Sequence, residues 1–252
     1  MKVKDSVAIV TGGNRGIGEA FVRVLLDAGA ARVYVGTRAA DGADHLAAEF
    51  PDRAVPVTLD VADEAAVNAA ALACPDVNVV INNAGAFHNQ LLLAASDLSA
   101  ARSEMEVNYF GSLAMCRAFA PVLARNGGGS IINVLSVGGI LPVPNMGGYS
   151  PSKFATHAMT TIVRAELAEQ GTHVGCLIVG SVDTRMASHV KGQKESPEDV
   201  ARAGIVAIEK ELREMDTDQF AVTMRAAMHR DPAALERRMA AMVRVKDLST
   251  GR

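Results

Sequence analysis

The chain predicts an α/β fold: a doubly wound parallel sheet in three α/β/α layers. Three observations predict it. Short β-branched apolar runs alternate along the chain with stretches of helical periodicity. The runs are apolar throughout rather than at every second residue, as in strands covered on both faces. Repeated strand-then-helix order requires right-handed crossovers, and these build a parallel sheet.

Val7–Val10 is the first strand. A helix over Ile17–Ala28 follows, with Phe21, Val24, Leu25 and Ala28 on one face and Gly29 closing it. Val33–Val35 is the second strand, and Asp41 and Asp44 begin a short helix. Val55–Leu59 is the third strand, where Pro56 points to a sheet edge. Asp63 opens an alanine-rich helix to Ala73, an acid placed where a helix start favours one. Val77–Ile81 is the fourth strand. A long helix, Arg102–Arg125, stops at Asn126-Gly127-Gly128-Gly129. Ser130–Leu135 and His173–Ile178 are the fifth and sixth strands, flanking a helix over Phe154–Gln170 that Gly171 ends. Ser196-Pro197-Glu198-Asp199 starts another helix, with a capping serine, proline at the first position and acids in the first turn. A seventh strand is expected near Gln219–Val222. Met224–Val243 is helical, with a final amphipathic helix from Asp231 to Val243. Without linker or repeat, residues 1–252 form one domain, in which 188–252 are the variable substrate-lid and C-terminal region.

With 252 residues, 49 % of them apolar, the chain can bury one large core and is not a disordered polymer. A net charge of −3 from 25 basic and 28 acidic residues gives no electrostatic case for nucleic acid. Apolar runs are strand-sized, short of the ~20 residues of a membrane helix. Met1–Asp5 lead into the first strand without the apolar stretch of a signal peptide. Cys74, Cys116 and Cys176 are widely spaced and odd in number, forming neither a disulfide framework nor a metal pattern. They are expected to be small buried side chains in a cytoplasmic protein that holds no metal.

Tyr149 and Lys153 lie four apart, with Ser136 upstream. A free phenol has a pKa of ~10, and a nearby cation lowers it by favouring the phenolate. Helical residues at i and i+4 share a face, so Lys153 can sit beside Tyr149. Ser136 can donate a hydrogen bond to a substrate oxygen. A proton donor, its tuner and an orienting hydroxyl suit reduction of a carbonyl or oxidation of an alcohol. The spacing alone is also that of an ordinary helix surface. Corroboration comes from Thr11-Gly12-Gly13-Asn14-Arg15-Gly16-Ile17-Gly18, which follows the first strand and opens a helix. There glycines let backbone amides approach a pyrophosphate at a helix N-terminus.

Thr11–Gly18, Asn82-Asn83-Ala84-Gly85, Asn108, Ser136, and Tyr149 with Lys153 resemble the short-chain dehydrogenase/reductase family in order and spacing, over roughly the first 190 residues. The resemblance implies a Rossmann-type fold and a nicotinamide cofactor. It implies that Gly12, Asn14, Arg15, Gly16, Ile17 and Gly18 cradle the cofactor. It sets Asn83, Ala84 and Gly85 on the adenine-ribose side, and Asp60 and Val61 at the adenine. Lys153 would also bind the nicotinamide ribose, and Asn108 would anchor a water-mediated proton relay to it. Val182 and Thr184 would touch the nicotinamide amide. Asp60 as a helix cap, and Asn108 as a partner for local backbone, remain open alternatives. The family's Pro-Gly after the sixth strand is Val179-Gly180 here, a less rigid turn.

The second strand ends Val35-Gly36-Thr37-Arg38, without the acid that binds the ribose 2′-hydroxyl of NAD. Arg38 and Arg15 suit a 2′-phosphate, so NADP(H) is expected over NAD(H). Pro151 forces the helix to begin near Tyr149 and pushes Ser150 away from helical torsions. Phe87, Leu141, Val143, Met146 and Met186 are candidate pocket residues, each equally readable as ordinary packing. They suggest a small or medium hydrophobic ketone, aldehyde or secondary alcohol; a coenzyme-A or acyl-carrier thioester stays open. His88 and Asn89 add polarity at the mouth, His157 reads as a packed or surface residue, and 188–195 as a lid. The resemblance implies a homodimer through the helices at 102–125 and 154–170. Two other readings are an inactive NADP(H)-binding regulatory protein and a sugar-nucleotide epimerase or dehydratase, for whose extra lobe the chain lacks room.

Overall fold

The computed structural model describes residues 1–188, 191, 192, 194–241 and 243. In chain order its elements are β1 (Val7–Thr11), α1 (Gly16–Asp27), β2 (Arg32–Thr37), α2 (Asp44–Glu49), β3 (Ala54–Thr58), α3 (Glu64–Ala73), β4 (Val79–Asn82), α4 (Ser99–Met105), α5 (Gly111–Arg125), β5 (Gly129–Val134), α6 (Tyr149–Glu166), β6 (Thr172–Ile178), α7 (Pro197–Glu209), β7 (Glu214–Asp216), α8 (Gln219–Arg230) and α9 (Pro232–Ala240). The strands form one parallel sheet in the order β3-β2-β1-β4-β5-β6-β7. This is the expected Rossmann-type, doubly wound arrangement. Strand order reverses between β1 and β4, which opens a crevice at the C-terminal ends of the strands.

Side chains of successive strand residues go to opposite faces. Ile132 accordingly joins a core with Phe21 and Leu25 of α1 and Ile208 of α7. Ile131 joins the other layer with Met115, Phe119 and Leu123 of α5. A third cluster sets Leu135, Val137, Leu141 and Val143 against Ala221, Met224, Leu235 and Met239 of α8 and α9. Cys74, Cys116 and Cys176 are free and buried, and burial pushes each thiol up to about 12. Thiols so poorly ionised are weak nucleophiles. Among the described residues no helix is long and apolar enough to cross a membrane.

β3, with Pro56, is the sheet edge as expected. Ser196 caps α7 by accepting from the Asp199 amide at 3.1 Å, and Asp63 caps α3. Four expectations need correction. The seventh strand is Glu214–Asp216, not 219–222, where Asp218 accepts from the Ala221 amide and starts α8 instead. A strand of three acid-flanked residues leaves no apolar run to read. The helix expected over 102–125 begins at Ser99 and is interrupted by a wide π turn at Glu106–Phe110. There the Asn108 carbonyl accepts the Ser112 and Thr156 hydroxyls at 2.8 and 2.9 Å, side-chain bonds that compete with the helical ladder. α6 begins at Tyr149, as Pro151 requires, but it includes Ser150 despite the following proline and stops at Glu166 rather than Gln170. Pro151 sits in a first turn whose amides lack helical partners anyway, and the Ser150 hydroxyl is pinned by donating to the Gly138 carbonyl. The last helix stops at Ala240; Met242 lies outside the described residues.

α1 and α7 approach closely because Gly204 has no side chain: a Cβ there would lie 2.3 Å from Phe21 Cε1. Gly204→Ala is expected to cost about 1–3 kcal/mol through overpacking. The change should appear as a lower urea midpoint at an unchanged slope.

Candidate active site

Between β1 and α1 the chain turns through left-handed Gly12 (φ +61°) and Gly16 (φ +54°). A Cβ on Gly18 would fall 2.1 Å from the Gly12 carbonyl oxygen, so this turn admits only glycine there. Asn83 locks the loop to the end of β4, its Nδ2 donating to the Thr11 and Gly12 carbonyls at 3.0 and 3.2 Å. Thr11 Oγ1 accepts the Asn83 and Ala84 amides, each at 3.0 Å. Arg15 is extended at the N-cap of α1 and supplies no side-chain cap. Amides at the start of α1 therefore have no side-chain acceptor from the cap residue, an arrangement suited to an anion. Asn14 and Ile17 are half-buried beside them, while Arg15 and Arg38 are exposed. The donor set and the excluded side chains fit a dinucleotide pyrophosphate. Asp60 closes a turn by accepting the Ala62 amide at 3.0 Å, and does not cap α3. Val61 is buried, its Cγ2 2.7 Å from where a Cβ on Gly111 would sit.

α6 brings Tyr149 and Lys153 together, the ammonium 5.6 Å from the phenol ring centroid. Lys153 is 5 % exposed and donates to the Val134 carbonyl at the end of β5, 2.9 Å away. Ser136, just beyond β5, accepts the Gly138 amide at 3.1 Å, and a Cβ on Gly138 would lie 3.6 Å from its Oγ and 3.7 Å from Tyr149 Cε1, so hydroxyl and phenol ring border one space. Burial pushes Tyr149 up to about 12, opposed by the nearby Ser136 hydroxyl and reinforced by the charge of Glu104. Burial pulls Lys153 down to about 8. From its spacing, Lys153 is expected to lower the phenol's pKa. In the folded protein desolvation wins instead and drives both groups toward their neutral forms.

Asn108, 1 % exposed, clamps Ala86 from both sides, accepting its amide at 2.8 Å and donating to its carbonyl at 3.0 Å. It also donates to Ser152 Oγ at 2.9 Å, tying the segment after β4 to α6. A Cβ on Gly85 would sit 3.2 Å from Asn108 Oδ1 and 3.9 Å from Lys153 Nζ, so these residues surround one space. Phe87 stands edge-on to Tyr149, with centroids 5.2 Å apart. Met146 is half-buried beside Gly138, and Met186 is exposed. Leu141 and Val143 are taken up in packing against α8 and α9. His88 Nε2 contacts Ser103 Oγ at 3.0 Å, and Asn89 takes a left-handed turn at φ +52°.

After β6 the chain returns toward the glycine loop, where Thr184 Cγ2 lies 3.3 Å from a Cβ position on Gly16. Val182 is buried and bridges Glu195. In the expected lid, residues 189, 190 and 193 lie outside the described residues. Two polar residues escaped the sequence reading. Asp218 accepts the Gly180 amide at 2.7 Å and so fixes the turn that lacks proline. Glu104, 2 % exposed, accepts the His88 amide at 2.7 Å. Its i, i+4 spacing from Asn108 was the available signal.

The crevice, its anion cradle and the hydroxyl–ammonium cluster beside it define a nucleotide-binding oxidoreductase fold. The family model described as short chain dehydrogenase matches residues 6–195. A short chain dehydrogenase from Burkholderia cenocepacia, solved in complex with NADP, is 38 % identical with a TM-score of 0.89, covering 95 % of this chain and 99 % of that one. A 3-ketoacyl-(acyl-carrier-protein) reductase from Brucella melitensis, complexed with NADH, is 26 % identical with a TM-score of 0.79, covering 85 % of this chain and 97 % of that one. Dehydrogenase/reductase SDR family member 7B of Bos taurus is 31 % identical over 73 % of this chain, a match that spans only 60 % of the relative's length. The chain belongs to the short-chain dehydrogenase family, whose members are oxidoreductases that bind nicotinamide cofactors.

Lys153 gives a stability prediction. Its folded pKa of about 8 lies below the ordinary 10.5, so at pH 8 and below the folded state carries a buried charge at full cost. That cost fades as pH rises from 8 toward 10.5, where the unfolded chain holds the extra proton. Lys153→Met should therefore be more stable than the parent at pH 7 by roughly 1–3 kcal/mol. The gap in thermal midpoint should close as pH approaches 10.

Proposed function

We propose that the protein is an NADP(H)-dependent reductase of a small or medium hydrophobic ketone or aldehyde, running in reverse as an alcohol dehydrogenase. The observation that carries this reading is the meeting of Tyr149, Ser136 and Lys153 beside the glycine loop. Gly12, Asn14, Arg15, Gly16, Ile17 and Gly18 would hold the pyrophosphate, with Asn83, Ala84 and Gly85 behind the loop. Asp60 and Val61 would meet the adenine, and Val182 and Thr184 the carboxamide. Bound there, the nicotinamide supplies or accepts the hydride.

The chain's own residues handle the proton and the developing charge. Ser136 hydrogen-bonds the substrate oxygen and stabilises it as it becomes negative. Tyr149 gives that oxygen its proton, or takes one in oxidation. Lys153 favours the phenolate that results and binds the cofactor ribose; Asn108 orders the lysine's surroundings and anchors a relay to it. Phe87, Met146 and Met186 border the substrate, with Leu141 and Val143 supporting that wall. Exposed Arg15 and Arg38, with no acid at the end of β2, support selection of a 2′-phosphate. Three buried thiols suit a reducing cytoplasm. Exposed Phe110 and Ile162, at the start of α5 and on α6, support a homodimer through those helices.

NADPH consumption against a panel of ketones and aldehydes tests the reading. Turnover on at least one carbonyl, falling about 10²–10⁴-fold in Tyr149→Phe, is the expected result. Tight NADPH binding with no turnover on any carbonyl would instead indicate a regulatory protein. Arg38→Asp should raise KM for NADPH at least tenfold and leave that for NADH nearly unchanged; equal losses would refute the cofactor preference.

A further inference from the structure

Asp218 stands at the N-terminus of α8, 8 % exposed, and its two carboxylate oxygens serve different parts of the chain. Oδ1 accepts the Ala221 amide at 2.8 Å and caps the helix. Oδ2 accepts the Gly180 amide at 2.7 Å, a charge-assisted bond to a loop 38 residues away. The Thr217 hydroxyl donates to that same oxygen at 3.0 Å, and the Thr217 amide donates to the Ile178 carbonyl at 3.1 Å. The carboxylate is thus held from β7 against the end of β6. Gly180 has no room for a side chain, since a Cβ there would lie 2.4 Å from Asp218 Oδ1.

Gly180 opens the segment that leads back to the glycine loop. One residue before it, the Val179 carbonyl accepts the Val137 amide at 2.9 Å, next to Ser136. Beyond it Val182 is buried, and the Asp183 amide donates to the Glu195 carbonyl at 2.9 Å. Thr184 Cγ2 then lies 3.3 Å from a Cβ position on Gly16. We propose that Asp218 is a positioning residue for the nicotinamide half of the cofactor. By fixing Gly180 it sets Val182 and Thr184 where the carboxamide would lie, and it couples the C-terminal helices to that end of the crevice. The inference deepens the reductase reading and rests on its placement of the cofactor. The adenosine half is assigned there to Arg38, Asp60 and Val61, which follow β2 and β3 on the far side of the sheet from β6 and β7. Asp218 therefore acts on one half of the dinucleotide and not on the other.

Asp218→Ser separates the two roles, because a serine hydroxyl is a helix cap but stops short of the Gly180 amide. Gly180→Ala approaches from the other side and displaces the carboxylate. Without cofactor, amide exchange at Gly180 should quicken at least tenfold in Asp218→Ser while the α8 amides stay protected. By titration calorimetry, both variants should bind NADPH about tenfold more weakly, the loss expected for one charge-assisted bond. Both should bind adenosine 2′,5′-bisphosphate, which lacks the nicotinamide, as the parent does. NADH with AMP gives the same comparison for a protein that takes that cofactor. Unchanged affinity for the dinucleotide, equal losses for dinucleotide and fragment, or unchanged exchange at Gly180 would each overturn the proposal. A parent that binds the dinucleotide yet reduces no carbonyl would sink the reductase reading and leave the role of Asp218 standing; a parent that binds neither NADPH nor NADH would sink both.

Discussion

The ammonium of Lys153 is held almost clear of solvent, with the Val134 carbonyl as its acceptor. That contact requires α6 to lie hard against the turn after β5. Gly139 makes the approach possible, since a Cβ there would meet the Lys153 backbone at 3.0 Å. The same approach carries Tyr149 to Ser136. Burying an ammonium costs stability, and a protein selected for folding alone would place an apolar side chain there. The expense is intelligible if charge is needed at that point, in the way active sites commonly trade stability for function.

A second set of contacts joins the cleft to the sheet. Thr11 and Asn83 fasten the glycine loop to the end of β4, at the point where strand order reverses. One residue earlier, Asn82 donates to Asn133 on β5, which donates in turn to Thr160 on α6, each at 2.8 Å. Buried amide ladders of this kind fix register, because a slip would strand polar groups away from water. The glycine loop and the Tyr149–Ser136–Lys153 cluster are thereby built on one frame. Asn82 Oδ1 is the exception, buried without a described partner.

Most of this fold was legible in the sequence because parallel strands and their crossover helices write strong local signals. β1 to β6, the caps at Asp63 and Ser196, and the edge position of Pro56 follow from periodicity and backbone chemistry. β7 did not, because three residues on a sheet margin carry no apolar pattern. The π turn was hidden because its cause lies partly in Thr156, 48 residues away. Residues of the candidate site were legible as motifs, but their electrostatics were not. Spacing alone cannot report that burial raises the Tyr149 phenol and lowers the Lys153 ammonium. Glu104 and Asp218 were missed for a related reason: each acts on backbone amides far along the chain, at His88 and Gly180. His157, read as a packed or surface residue, is partly exposed and pairs with Glu214 of β7 at 2.7 Å. With Cys176 the two offer ligand atoms within 4.8 Å of one another, although Glu214 is also engaged by Arg225.

The sequestered thiols have a practical side. With every native cysteine inaccessible and poorly ionised, one engineered on an exposed helix face would react alone with a maleimide dye. A fluorophore could thus be attached at a chosen spot without first stripping the natural sulfhydryls, and the chain's lack of indole leaves its emission window clear for reporting motion around the crevice.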